Sequence, residues 1–183
     1  MEFVRNFKQT KLIKKVFIAI LGTVLLAVSP KIKIPFYPVP MTMQTFVVIF
    51  IGIAFGWKLG VATISLYLLE GIIGLPVFSG TPEKGTGIIY FTGPTMGYLI
   101  GFVVAAYISG KFVYDDNIFK NFFKLTFSVS FIYALGLLWL GNLIGWDKPI
   151  FKLGAQPFLL AELFKIIIAT LAIKQIKKVK KII

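Results

Sequence analysis

Two charged side chains stand inside an apolar stretch where charge is costly. In QPFLLAELFKIII, Glu162 and Lys165 are three residues apart, a spacing that puts both on one face of a helix and lets them pair. An ionisable group in apolar surroundings costs free energy, so such a pair marks either a site or a packing device. As a site, it is a polar floor offering acceptor oxygens beside donor hydrogens to a ligand that carries both. As packing, it is a self-neutralised pair that holds a bundle together. Glu70 is a weaker candidate: it lies near the end of an apolar run shortly before Pro76, where a long side chain can snorkel outward.

Other polar groups cluster beside chain breakers. The segment IPFYPVPMTMQT carries Pro35, Pro38 and Pro40, which stiffen the chain and forbid helix there. Thr42, Gln44 and Thr45 follow at once, with side chains able to hydrogen-bond at a helix start. This segment is either a rigid lid over a cavity or a plain connector. In FTGPTMGY, Gly93 and Gly97 flank Pro94, a broken helix start that exposes backbone groups beside a cavity or within protein. Tyr98 and Trp146 are placed to stack on a ligand or to sit in an interfacial aromatic belt. With no His and no Cys, the chain has no Ser-His-Asp triad, no Cys nucleophile and no thiolate or imidazole metal site. A lone intramembrane carboxylate offers little acid–base machinery. Neither an enzyme nor a metal or other cofactor is expected.

The elements that must position these residues are apolar runs. Of the 183 residues, 57% are apolar and 15% charged, against roughly 45–50% and about 25% in soluble domains. The mean hydropathy is +0.87. Bilayer crossing takes about 20 apolar residues, with roughly 17–25 tolerated. Six runs approach that length, over residues 12–29, 42–57, 59–75, 88–110, 125–144 and 157–173. The second and third form a helical hairpin broken at FGWKLG, with Lys58 at its tip. The expected fold is an all-α integral membrane protein, one domain over residues 1–183 with six transmembrane helices.

Charge orients that bundle. The net charge is +13, but the basic residues sit at the edges of apolar runs and do not interleave with polar residues, so the bilayer and not nucleic acid is the partner. Six crossings put both termini on one side. With them lie 14 basic residues: Arg5, Lys8, Lys11, Lys14, Lys15, Lys58, Lys111, Lys120, Lys124, Lys174, Lys177, Lys178, Lys180 and Lys181. The other side has five, Lys31, Lys33, Lys84, Lys148 and Lys152. The positive-inside bias makes the termini cytoplasmic, in the cytoplasmic membrane. Small residues recur every fourth position at Gly52, Gly56 and Gly60 and again at Gly97, Gly101, Ala105 and Ser109, which reads as close helix packing. Ala19, Thr23 and Ala27 form a third stripe, open to another membrane protein. A short basic tail cannot form a core, so an energy-consuming module is expected on another chain.

The segments PVPMTMQTFVVIFIGIAFGWKLG, LYLLEGIIGLPVFSG, GPTMGYLIGF and PFLLAELFK, in that order, resemble the signature segments of the BioY family. Its members are the biotin-specific substrate-binding (S) components of energy-coupling factor (ECF) transporters. The resemblance runs from about residue 27 to 174 and implies the six-helix ECF S-component fold, with biotin captured from outside. It also implies three partner chains, a transmembrane coupling protein and two ATPase subunits. Ala19, Thr23 and Ala27 are similar to the small residues with which S components contact the coupling protein. In the last helix Pro157, Phe158 and Lys165 match the family pattern, while Glu162 stands where Asp is usual, one methylene longer. The expected ligand set joins Glu162 and Lys165 to the residues read from local pattern, Tyr98, Thr42, Gln44 and Gly93. The loop SGTPEKGTGIIY is longer than the Gly-rich loop of many relatives. An S component for another small vitamin, or a membrane scaffold or channel, is the alternative.

The topology is directly testable, because single cysteines are unambiguous in a Cys-free chain. Cysteine at Gly80 is expected to react with an impermeant thiol reagent in intact cells, and cysteine at Asn117 to react only after lysis. The reverse pattern inverts the orientation.

Overall fold

The computed structural model describes residues 2–34, 37–83 and 85–182. Pro35 and Lys84 lie outside the described residues, as do the side chains of Arg5 and Lys8. Helix α1 (Glu2–Val28) ends in a 3-10 turn, Ser29–Lys31, that Pro30 opens. The strands β1 (Lys33–Ile34) and β2 (Met41–Thr42) then pair antiparallel, Lys33 opposite Thr42 and Ile34 opposite Met41. This ladder and residues 37–40 form a small flap ahead of α2 (Gln44–Ile72).

Helix α2 is two helical arms joined at a kink, where the chain folds back on itself. Its Gly56 has φ 72° and ψ 168°, a conformation open essentially to glycine alone. A side-chain hydrogen bond joins Gln44 Nε2 to Tyr67 Oη at 2.7 Å, although 23 residues of straight helix would separate them by about 34 Å. A Cβ on Gly60 would lie 3.4 Å from Gly52 Cα, so the two arms touch through their glycines. The reversal falls within FGWKLG. The arms, residues 44–55 and 57–72, are only about 18 and 24 Å long, short of a hydrocarbon core of about 30 Å.

A 3-10 turn (Gly87–Thr92) precedes α3 (Met96–Lys111), so the helix starts eight residues later than the apolar run from 88 suggests. The cause is local: Pro94 lacks an N–H and disfavours helix at Gly93. Helix α4 (Ile118–Ile144) departs the other way and begins seven residues before the run at 125. Asn117 caps it, its Oδ1 accepting from Lys120 N at 3.0 Å, so the aromatic-rich IFKNFFK is helical despite its two lysines. The chain ends with α5 (Ile150–Gly154), a 3-10 turn (Gln156–Phe158), α6 (Leu159–Leu171) and α7 (Ile173–Ile182). The basic tail is thus itself helical, with Ile173 and Ile176 buried and its lysines outward.

Among the described residues, four stretches are by residue count and composition long enough to cross a membrane, 11–31, 44–72, 118–144 and 150–171, the second of them divided by the reversal at Gly56. Helix α3 is a shorter apolar helix. The bundle has two distinct ends. At one, α7 covers the α2 elbow, with Lys180 Cε 3.8 Å from where a Gly56 Cβ would be. Lys177 Nζ donates to Tyr114 O at 2.9 Å, and Lys174 pairs with Asp116 at 3.1 Å. There too, the Asn117 N–H, donating to Asp115 at 2.9 Å, and the nearby Lys124 ammonium hold the Asp115 carboxyl below the usual range. At the other end lie the flap, the 73–95 loop and the start of α6.

Small residues let the backbones meet. A Cβ on Gly110 would stand 2.7 Å from Trp57 Cα, and one on Gly101 2.6 Å from Ile132 Cα. α3 therefore packs inward on both flanks, with Gly101 of the stripe against α4 and its Ser109 and the adjoining Gly110 against α2. The α1 stripe also faces inward. Ala19 and Thr23 are buried, and a Cβ on their neighbour Gly22 would be 2.6 Å from Thr63 Cγ2 on α2. In this arrangement those two residues are spent on the α1–α2 seam, and Ala27 is half-buried. Volume added there has nowhere to go. Thr23→Trp is expected to destabilise the isolated protein by about 1–3 kcal/mol, read as a lower unfolding temperature in detergent. Val24→Trp, on the exposed face of the same helix, should leave it unchanged.

Candidate substrate-binding site

The site sits where the first arm of α2, α3, α4 and α6 converge beneath the flap and the 73–95 loop. Between them is a narrow, partly open pocket. Val39, Met41, Phe78, Leu99, Phe102, Ile132 and Phe158 supply apolar lining, and Thr42, Gln44, Thr45, Ser79, Tyr98, Tyr133, Glu162 and Lys165 supply polar groups.

Glu162 and Lys165 form an ion pair at 2.8 Å with side chains only 5% and 7% exposed. Burial of two charges is tolerable only if the remaining hydrogen-bonding capacity is also used. Lys165 meets that demand fully. Its Nζ donates to Glu162 Oε2 at 2.8 Å, Thr45 Oγ1 at 2.7 Å and the Thr42 carbonyl at 3.0 Å, three acceptors for three protons. Glu162 meets it by half. Its Oε2 accepts from Lys165, from Thr45 Oγ1 at 3.0 Å and from Tyr133 Oη at 3.0 Å, while Oε1 is buried without a partner. Ser79 Oγ is a second buried atom without a partner, and Ser79 lines the same space.

The remaining polar residues brace the walls. Gln44 Nε2 donates to Tyr67 Oη, which donates to Val77 O at 3.1 Å, tying the 73–79 segment to both arms of α2. Phe78 locks the same segment, 4.7 Å from Tyr90 in a stacked pair and 5.2 Å from Tyr67 edge-on. Tyr98 donates to Gly154 O at 2.7 Å and meets Tyr133 edge-on at 6.2 Å, which leaves its ring as lining and its hydroxyl as a brace. Thr42, just ahead of α2, accepts from Gln44 N through its Oγ1 at 3.3 Å and offers its carbonyl to Lys165.

Five of the six expected ligand residues thus meet in one space: Glu162, Lys165, Tyr98, Thr42 and Gln44. Gly93 does not. Its carbonyl accepts from Trp139 Nε1 at 2.9 Å, and it borders a separate surface cleft near Tyr37. Trp146 is exposed, its indole held by Asn142 at 3.1 Å, and Glu70 is half-buried away from the lining. Sequence reasoning missed Tyr133 and Ser79. Tyr133 lies in an uninterrupted apolar run, and Ser79 in a turn-rich loop, so neither carries a local mark.

The geometry describes a braced apolar chamber with one unpaired carboxylate oxygen and one unpaired hydroxyl at its wall. Comparison with known proteins bears on what it belongs to. A family model described as the BioY family matches residues 4–181. A probable biotin transporter BioY from Pyrococcus horikoshii is 34% identical over 152 residues, covering 83% of this chain and 89% of that protein. The biotin transporter BioY of Thermotoga maritima is 33% identical over 159 residues, 86% and 92% of the two chains. The crystal structure of the S-component for biotin from an ECF-type ABC transporter superposes with a TM-score of 0.77 at 23% identity, over 92% of this chain and 93% of that one. With the family model spanning nearly all of the helices just described, and relatives a third identical along them, the chain belongs to the BioY family.

Proposed function

We propose that this chain is the substrate-capture subunit of an ATP-driven biotin transporter, and that its chamber takes the ureido ring of biotin against Glu162. The relatives' biotin transport and the family membership support the substrate. The observation that carries the site reading is the unpaired, buried Glu162 Oε1. A ureido group has two N–H donors and one carbonyl, which suits a free carboxylate oxygen beside a free hydroxyl, here Ser79 Oγ. Apolar lining from Phe78, Leu99, Phe102 and Ile132 suits the ring carbons and the thioether. Lys165 is the one cation among the described lining residues, and its protons are already used, so the ligand carboxylate is left toward the mouth.

The chain crosses the membrane six times in this reading, with each short arm of α2 completing its crossing through the loop residues at its outer end and the termini cytoplasmic. Support comes from the reversal at Gly56 and from the basic residues gathered at the elbow and α7 end. The chamber then opens outward. The energy comes from two ATPase subunits acting through a transmembrane coupling protein, a reading supported by membership of the BioY family. Because Ala19 and Thr23 face inward, the coupling contact on α1 is assigned to its exposed side, where Phe17, Ile20 and Val24 stand.

Competition against labelled biotin tests the ligand's orientation. Glu162→Gln and Lys165→Met are each expected to weaken biotin and biotin amide by similar factors, at least about tenfold for a charged hydrogen bond of roughly 1.5–3 kcal/mol. If Lys165 instead held the carboxylate, biotin amide would bind the native protein poorly and Lys165→Met would hardly affect it.

A further inference from the structure

We infer that Thr45 and Tyr133 are positioning residues for substrate binding: they act through Glu162, fixing its carboxylate so that a single oxygen is presented to the ligand. The inference rests on the reading of Glu162 as the acceptor for a ligand N–H.

The geometry is asymmetric in an informative way. One oxygen of Glu162 collects three donors, each from a different helix: Lys165 on α6, Thr45 on α2 and Tyr133 on α4. The other oxygen, equally buried, collects none. A buried carboxylate with donors on both oxygens would be a finished structural ion pair. With all the donors on one, its plane is set and one acceptor stays unspent. Lys165 alone would not achieve this. It lies on the same helix three residues away, and a single contact leaves the carboxylate free to turn about its terminal bond, which is soft. The donors from α2 and α4 approach from outside α6 and remove that freedom. Thr45 has a second task, because its hydroxyl accepts from Lys165 while donating to Glu162 and so holds the ammonium beside the carboxylate. Tyr133 forms part of a partition: it and Glu162 line both the chamber and an apolar groove between α4 and α6 on the outer surface. Its hydroxyl therefore holds Glu162 at the wall of the chamber. A preorganised acceptor loses less freedom on binding, and the gain appears as affinity.

The test is a set of double-mutant cycles on the purified full chain, read as the dissociation constant of labelled biotin. Thr45→Val and Tyr133→Phe remove one hydroxyl each at nearly constant shape. Each is expected to weaken biotin by about tenfold, with Thr45→Ser binding within about twofold of the native chain. The decisive measurement repeats Thr45→Val and Tyr133→Phe in a Glu162→Gln background. Residues that act through Glu162 should lose most of their effect there, to about twofold or less, because coupled groups are non-additive. A full tenfold effect in both backgrounds would mean that Thr45 and Tyr133 merely shape the chamber, and the inference fails. It fails equally if both single variants bind as well as the native chain while Glu162→Gln does not. If Glu162→Gln itself keeps native affinity, the reading of Glu162 as the ligand acceptor falls first. Thermal unfolding of each variant separates loss of fold from loss of binding. Should Thr45→Val not fold, Tyr133→Phe, on another helix, carries the same cycle.

Discussion

Everything about the chamber follows from the expense of burying Glu162 and Lys165 together. Moving a charge out of water costs several kcal/mol per ion even after relaxation, and removing one partner of a buried pair typically costs about 3–5 kcal/mol. The chain meets that cost by saturation. Every proton of Lys165 and one oxygen of Glu162 are satisfied, and the partners come from the flap, α2, α4 and α6. The pair thus ties these segments together through its hydrogen bonds. The one unsatisfied oxygen stands apart in this scheme. A buried acceptor without a partner is worth roughly 1–3 kcal/mol to whatever donor reaches it. That places an unmet demand at the chamber wall.

The second constraint is close backbone contact. Between helices in a bilayer, lipid tails are as apolar as leucine, so association relies on dispersion and on how near the backbones can come. Gly52, Gly60, Gly101 and Gly110 supply that approach, and a methyl at any of them meets a neighbouring backbone. The elbow at Gly56 brings the short arms of α2 side by side, which puts Gln44 against Tyr67 and seats the 73–79 segment over the chamber. Chamber lining and helix packing are thus one structure. α7 covers the elbow with Ile173 and Ile176 and leaves its lysines outside, so the basic tail is a structural element as well as an orienting charge.

Some departures from the sequence reading share one origin. α4 starts early because Asn117 provides a cap that outweighs the lysines after it, and α3 starts late because Pro94 breaks the apolar run. Hydropathy measures solvent preference and is blind to both. The α1 stripe is the instructive case. A spacing of four correctly says that Ala19 and Thr23 share a face with room for close contact, yet it cannot say whether the contact is with α2 or with another protein. In this fold the seam with α2 takes them.

What the sequence determined by itself is what depends on neighbours a few residues apart. Apolar runs, breakers, the glycine-bearing reversal and the Glu162–Lys165 pair are all set by helix geometry, in which a spacing of three or four means one face whatever the rest of the chain does. The tertiary structure alone decided which distant groups reach that face. Thr45 lies 117 residues from Glu162 and Tyr133 lies 29 residues from it, and Ser79 comes from a loop with no regular period. Gly93, marked by the same local signals as Thr42 and Gln44, was turned to Trp139 and away from the chamber. A hydrogen bond across the bundle is specified by the packing of whole helices, and no window of sequence contains both of its ends.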